Sequence, residues 1–272
     1  MPMIDISSLT RDYGHSRGVF ELDLAVEKGE VYGFLGPNGS GKTTALRHVM
    51  GFLKSQAGTC KVQGLDCWKD REKIQANLGY IPGEISFLED MVAEDYLNFL
   101  LDYRKDAGQR KEEMMERFEL DPHQKIKKLS KGNKQKVAIV SAFMHDPDIF
   151  ILDEPTSGLD PLMQQRFVEL IHEERKAGKT VLMSSHIFEE IEKTCQRVGI
   201  IRQGRLVAET SVEKLREEHL TSYTVQLKSL EEAASFAKDF GGQQEGLEVT
   251  LQKQVSLEDV FIQYYGGGED DK

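Results

Sequence analysis

The chain has 272 residues, 39% of them hydrophobic and 30% charged, with a formal net charge of −11. That length allows about two domains with a real core, and that composition excludes a disordered chain. The acidic balance argues against a basic nucleic-acid binder, the 3 cysteines (Cys60, Cys67, Cys195) are too few for a disulfide scaffold, and no apolar run approaches the roughly 20 residues of a membrane span.

The opening MPMIDISSLTRDYG has no basic segment leading into an apolar one, so no secretory signal is expected. Residues 1–65 read mostly as strands: 19–26 alternates, Glu27-Lys28-Gly29-Glu30 is a turn, and 31–35 is a short apolar strand. A glycine-rich loop, 36–41, leads into a helix over 42–51, and 59–62 is a further strand. From Ser86 to His145 apolar residues recur at helical spacing, including Tyr96, Leu97, Leu100 and Leu101, then Met114, Met115 and Phe118. Ser130 stands at the N-cap of another helix. Alternation then resumes with strand 149–152, helix 161–177, strand 180–183, helix 187–194 and strand 198–201, and a hairpin turn at 202–205 leads into 206–208. Such alternation predicts a parallel sheet with helices packed on it. The last 60 or so residues read as a small α+β appendage ending in GGGEDDK.

Gly36-Pro37-Asn38-Gly39-Ser40-Gly41-Lys42-Thr43 fits G-x-x-x-x-G-K-[ST] between a predicted strand and a predicted helix. Glycines let successive backbone N–H groups turn around phosphate oxygens, and the helix N-terminus adds partial positive charge. Lys42 is expected on the β- and γ-phosphates and the Thr43 hydroxyl on Mg²⁺. The apolar strand Ile149-Phe150-Ile151-Leu152 ends in Asp153-Glu154. Beside a phosphate loop, Asp153 is expected to hold Mg²⁺ and Glu154 to act as general base on the attacking water.

Further motifs follow in order. Leu129-Ser130-Lys131-Gly132-Asn133-Lys134-Gln135-Lys136 resembles the LSGGQ signature of ATP-binding-cassette ATPases, Ser157-Gly158-Leu159-Asp160 matches their D-loop, and Ser184-Ser185-His186 their H-loop. The resemblance covers residues 1 to about 215 and is strongest to the single-cassette nucleotide-binding subunit of a transporter, of an exporter-like bacterial type. It implies an α/β phosphate-loop NTPase core with a parallel sheet, an N-terminal antiparallel β subdomain, an inserted helical subdomain and a small C-terminal α+β appendage. The expected boundaries are 1–84 with 146–215 for the ATP-binding core, 85–145 for the helical insertion and 216–272 for the appendage, where Ser256 to Phe261 resembles a closing helix.

The resemblance also implies roles. ATP and Mg²⁺ are the ligands, with Gly36 to Thr43 and Thr44 around the phosphates and Tyr13 stacked on adenine; a tyrosine in a surface turn is the other reading of Tyr13. Two cassettes, identical or different, meet head to tail. Ser130, Lys131, Gly132 and Asn133 of one then face the γ-phosphate held by Lys42 of the other. Ser157, Gly158, Leu159 and Asp160 lie near the dimer interface, and His186 helps orient the water and Glu154. The six lysines between Lys125 and Lys136 either add positive charge there or form a solvated face. The membrane spans belong to separate permease subunits, which place this chain at the cytoplasmic face of the cell membrane; Phe87, Leu88 and Met91 are candidates for the docking groove, and Tyr96 is read as helix core. No nucleic acid is expected as a partner.

Two departures stand out. Where the family has Gln after a strand, this chain has Gly83 followed by Glu84, and the expectation is either that Glu84 takes over the metal-facing role or that the loop signals through its backbone. Lys131 and Asn133 replace a Gly and a Gln of the signature. A soluble cassette ATPase of an assembly process is the alternative function. A guanine-reading N-K-x-D is not evident, because Asn133-Lys134-Gln135-Lys136 fails at its last position.

Overall fold

The computed structural model describes residues 1–104, 108–214 and 220–254. Two compact units divide the chain, Met1–Glu209 and Thr210–Lys272.

In the first unit, β1 (Ile4–Asp12) pairs antiparallel with β2 (Gly18–Val26) and β4 (Ala57–Val62), and β4 pairs with β5 (Leu65–Asp66). Ile4, Ile6 and Leu9 of β1 and Leu22, Leu24 and Val26 of β2 are buried, the one-sided burial of an antiparallel sheet. The long first strand is not evident from its sequence because its alternation is broken by register shifts after Ile6 and after Leu9. Cys60 and Cys67 meet in this hairpin, with Sγ atoms 3.2 Å apart, both buried and both free.

The second sheet has six strands in the order β10 (Arg205–Ser211), β9 (Arg197–Arg202), β3 (Val31–Leu35), β8 (Thr180–Ser185), β7 (Ile149–Asp153), β6 (Leu78–Ile81). From β9 to β6 the neighbours are parallel. Every residue of β3, β7 and β8 is buried, as a parallel sheet covered on both faces requires. Gln203 and Gly204, both with positive φ, turn β9 into β10. Register sets the site. Leu35 pairs with Ser185 and Asp153 with Ser184, so three adjacent strands end at one edge. The segments after those ends begin with Gly36, Glu154 and His186. Ligands of open parallel sheets bind beyond such carboxyl ends.

The helices of this unit are α1 (Lys42–Val49), α2 (Arg71–Ala76), α3 (Ala93–Arg104), α4 (Lys111–Arg117), α5 (Lys131–Phe143), α6 (Pro161–Lys176) and α7 (Phe188–Thr194). Phe143 of α5 stacks on Phe150 of β7 with centroids 4.2 Å apart and meets Phe167 of α6 edge-on. Arg110, just before α4, pairs with the buried Glu174 of α6 at 2.6 Å, and Arg117 pairs with Glu173. These contacts tie α4 and α5 to β7 and α6 within the compact unit Met1–Glu209. The unit also ends earlier than residue 215, at Glu209, because the Glu209 carboxylate accepts from the Tyr32 hydroxyl and from Arg197, each at 2.7 Å.

The second unit is α+β, as expected. β11 (Leu220–Gln226), β13 (Glu248–Gln254) and β12 (Gln243–Glu245) form an antiparallel sheet in that order, and α8 (Leu230–Phe240) is capped by Ser229 and ended by Gly241 at φ 68°. The closing helix expected from Ser256 to Phe261 lies outside the described residues.

Candidate active site

The phosphate loop closes on itself before α1 begins. Gly41 adopts φ 111°, and a Cβ there would lie 2.8 Å from the Gly18 carbonyl oxygen, so the position takes only glycine. Lys42 is 5% exposed. Its Nζ donates to the carbonyls of Gly36 at 2.5 Å and Pro37 at 3.1 Å and lies 3.9 Å from Glu154 Oε1. Burial pulls the Lys42 pKa down, and the charges of Glu154 and Asp153 oppose that. A phosphate chain offers this ammonium stronger partners than two neutral carbonyls.

Asp153 ends β7 at 1% exposure. One carboxylate oxygen accepts from Thr43 Oγ1 at 2.7 Å and the other from Ser184 Oγ. A buried carboxylate beside a hydroxyl at the foot of a phosphate loop is a hard oxygen set that suits Mg²⁺, an ion that takes one or two protein oxygens and fills the rest with phosphate and water. A Cβ on Gly83 would lie 2.9 Å from Asp153 Oδ2, so Gly83 is the residue that faces the carboxylate. Glu84 is exposed, and no hydrogen bond or ion pair among the described residues joins it to Asp153.

Glu154 takes φ 51°, a left-handed conformation rare for a residue with a side chain and a mark of functional sites. Its N–H donates to the Ser184 carbonyl at 3.1 Å and lies 3.2 Å from Ser184 Oγ. Its Oε1 sits 3.2 Å from His186 Nδ1. Ser184 therefore serves the Asp153 carboxylate and the Glu154 backbone, a role that sequence reading assigned to no residue. The motif Ser184-Ser185-His186 was visible, but only the register of β7 against β8 puts Ser184 beside Asp153.

Tyr13 is half exposed, with the Arg11 guanidinium 5.2 Å from its ring centre. Together with Arg17, Asn38, Lys42, Thr43 and Glu154 it lines a cavity of about 290 Å³. Arg17 is a lining residue that carried no sequence motif. None of residues 130–133 lines that cavity. Ser130 caps α5 by accepting from Asn133 N at 3.2 Å, and Lys131 Nζ donates to Ser157 Oγ at 3.1 Å. A Cβ on Gly132 would lie 2.6 Å from the Gly158 carbonyl oxygen, and Gln135 Nε2 donates to the Pro155 carbonyl at 2.6 Å. The start of α5 is thus laid against the loop that follows Glu154. Within that loop Leu159 is buried and Asp160 caps α6 through Met163 N at 3.0 Å.

The family model for ABC transporters matches residues 19–157. An uncharacterized ABC transporter ATP-binding protein of Methanocaldococcus jannaschii is 33% identical over 96% of this chain and 98% of its own length. The bacitracin transport ATP-binding protein BcrA of Bacillus licheniformis is 30% identical over 98% of each chain. A solved structure of an ATP binding subunit of an ABC transporter superposes with a TM-score of 0.72 at 27% identity, covering 79% of this chain and 92% of that one. With this fold, this strand-end site and these relatives, the chain belongs to the ABC transporter family, as an ATP-hydrolysing nucleotide-binding subunit.

Proposed function

We propose that this subunit pairs head to tail with a second cassette, closes on two ATP molecules and reopens after hydrolysis, and that separate membrane-spanning subunits convert that motion into transport. The observation that carries the reading is the convergence of Lys42, Asp153, Glu154 and His186 on neighbouring strand ends beside one cavity. Lys42 exchanges the Gly36 and Pro37 carbonyls for β- and γ-phosphate oxygens. Thr43 and Asp153 are the residues to hold Mg²⁺, which when bound neutralises phosphate charge. Glu154 accepts a proton from water as the water oxygen bonds to the γ-phosphorus and the bond to the bridging oxygen of ADP breaks. His186 fixes the Glu154 carboxylate. Tyr13 stacks on adenine. Ser130, Lys131, Gly132 and Asn133 complete the partner's site with the N-terminal dipole of α5, and residues 157–160 meet the partner beside it.

Closure is then a population shift driven by γ-phosphate contacts made only in the closed pair. The membrane subunit is proposed to dock in a groove of about 270 Å³ lined by Phe52, Tyr80, Ile85, Phe87 and Tyr96. Phe87 and Tyr96 pack edge to face there at 5.1 Å, which puts Tyr96 in the groove wall as well as in the helix core, while Leu88 is exposed beside it. Among the described residues no helix is long and apolar enough to cross a membrane, so the spans are assigned to the partner and the cassette to the cytoplasmic membrane face. The relatives named above carry transporter names, which favours this reading over a soluble assembly ATPase.

Purification from detergent-solubilised membranes tests the partner. A multi-span protein in stoichiometric yield is the expected result, and recovery with a soluble partner alone refutes the transporter role. Glu154→Gln tests the cycle: the variant should bind ATP, stop turning over and elute as a dimer, and undiminished turnover refutes the general-base assignment.

A further inference from the structure

His186 is half exposed, so packing alone does not orient it, yet its ring nitrogen meets Glu154 at 3.2 Å. The loop that presents it is pinned from behind. Ser185 Oγ accepts from the Ile187 N–H at 2.9 Å, closing a tight turn around His186. The same hydroxyl donates at 2.6 Å to Oε2 of Glu190, a residue of α7 that is only 7% exposed. The Glu190 backbone carbonyl in turn accepts from Thr194 Oγ1 at 2.6 Å, which holds its own helical turn. Burial raises the Glu190 carboxyl above its ordinary value, the hydroxyls of Ser185 and Thr156 and the charge of His186 act the other way, and Glu154 adds to the rise. One buried carboxyl thus acts on the segment that carries His186.

We infer that Glu190 is a positioning residue for hydrolysis: through Ser185 it holds the loop that sets His186 Nδ1 against Glu154 Oε1. Glu190 is buried and does not line the cavity beside Lys42, so it acts through that pair. The inference rests on the proposed catalytic roles of Glu154 and His186. Glutamine keeps an acceptor for the Ser185 hydroxyl at the same place, whereas alanine removes it and frees the loop.

The test is a double-mutant cycle on the full chain, read as steady-state ATP hydrolysis with nucleotide binding and thermal unfolding measured alongside. Glu190→Ala should lower kcat about tenfold while KM for ATP stays within about twofold, and Glu190→Gln should recover most of that loss. In a His186→Ala background the Glu190→Ala change should cost less than about twofold, because the pair it serves is already gone. An equal loss in both backgrounds, an unchanged kcat, or a rise in KM at constant kcat overturns the inference. If His186→Ala leaves kcat untouched, the proposed site reading fails and this inference with it; if His186→Ala lowers kcat and Glu190→Ala does not, only this inference fails. Should Glu190→Ala not fold, Ser185→Ala in the same cycle reads the same coupling.

Discussion

At the strand ends Lys42 and Asp153 are 5% and 1% exposed, and each is bonded to groups of the same chain. At the start of α5 Ser130 and Lys131 are exposed, and their described bonds are a helix cap and one contact to Ser157. The first region is complete inside the subunit and preorganised by burial. The second is a surface whose polar groups point away from the cavity of their own chain. In the proposed head-to-tail pair the two regions come from different subunits, and hydrolysis then requires both, because neither region has both the phosphate grip and the second set of donors.

The largest effect expected from breaking this contrast is on the buried side. Glu154→Gln should lower kcat about a thousandfold while ATP binding persists, measured by phosphate release and by equilibrium binding. Lys42→Ala should lose both binding and turnover. Ser130→Ala removes the exposed donor and should cost about tenfold or more in hydrolysis, with only about 1 kcal/mol of helix stability lost with the cap. The sharper form of this test mixes Lys42→Ala with Ser130→Ala. Each is deficient alone, but the mixed dimer contains one intact site, so activity should return on mixing. No recovery in the mixture means that the two halves do not belong to different subunits.

A smaller effect is expected where the two regions are joined. Glu174 is 2% exposed, and Arg110 reaches it at 2.6 Å. Arg110→Ala leaves that carboxylate without its cation, at a cost of about 3 kcal/mol by denaturant melts. Burial already raises the Glu174 pKa above its ordinary value, with Arg110 opposing. A raised carboxyl contributes stability below its unfolded pKa and loses it as pH climbs through the folded one. Removing Arg110 raises it further, so the destabilisation should be larger at neutral pH than in mild acid. A loss that is independent of pH refutes this account. The smallest effect belongs to Lys131→Ala, which breaks a solvent-exposed bond to Ser157 and should change hydrolysis by about twofold, more at low salt than at high.

Much of the site was legible in the sequence. Glycine spacing marked the phosphate loop, and an apolar strand ending in Asp153-Glu154 marked the metal-and-base strand. The SSH motif marked His186. These are local signals in which chemistry follows residue type and spacing. The sequence did not show that Gly83, the residue before Glu84, is the one whose Cβ position faces Asp153. Arg17 and Glu190 carried no motif of their own, the motif holding Ser184 did not give its contacts, and strand register and helix packing bring all three to the site. The ion pairs of Arg110, Arg117 and Glu209 likewise join residues far apart in the chain and leave no mark in composition.

By itself the sequence determined the fold class, the order of strands and helices and the family, because each follows from periodicity and from motifs read within a few residues. Tertiary structure alone decided that Asp153 stands beside Ser184, that Gly83 faces the Asp153 carboxylate, and that Lys131 turns to Ser157. These are contacts between residues far apart in the chain, made by parallel register and by burial, and neither has a local signature.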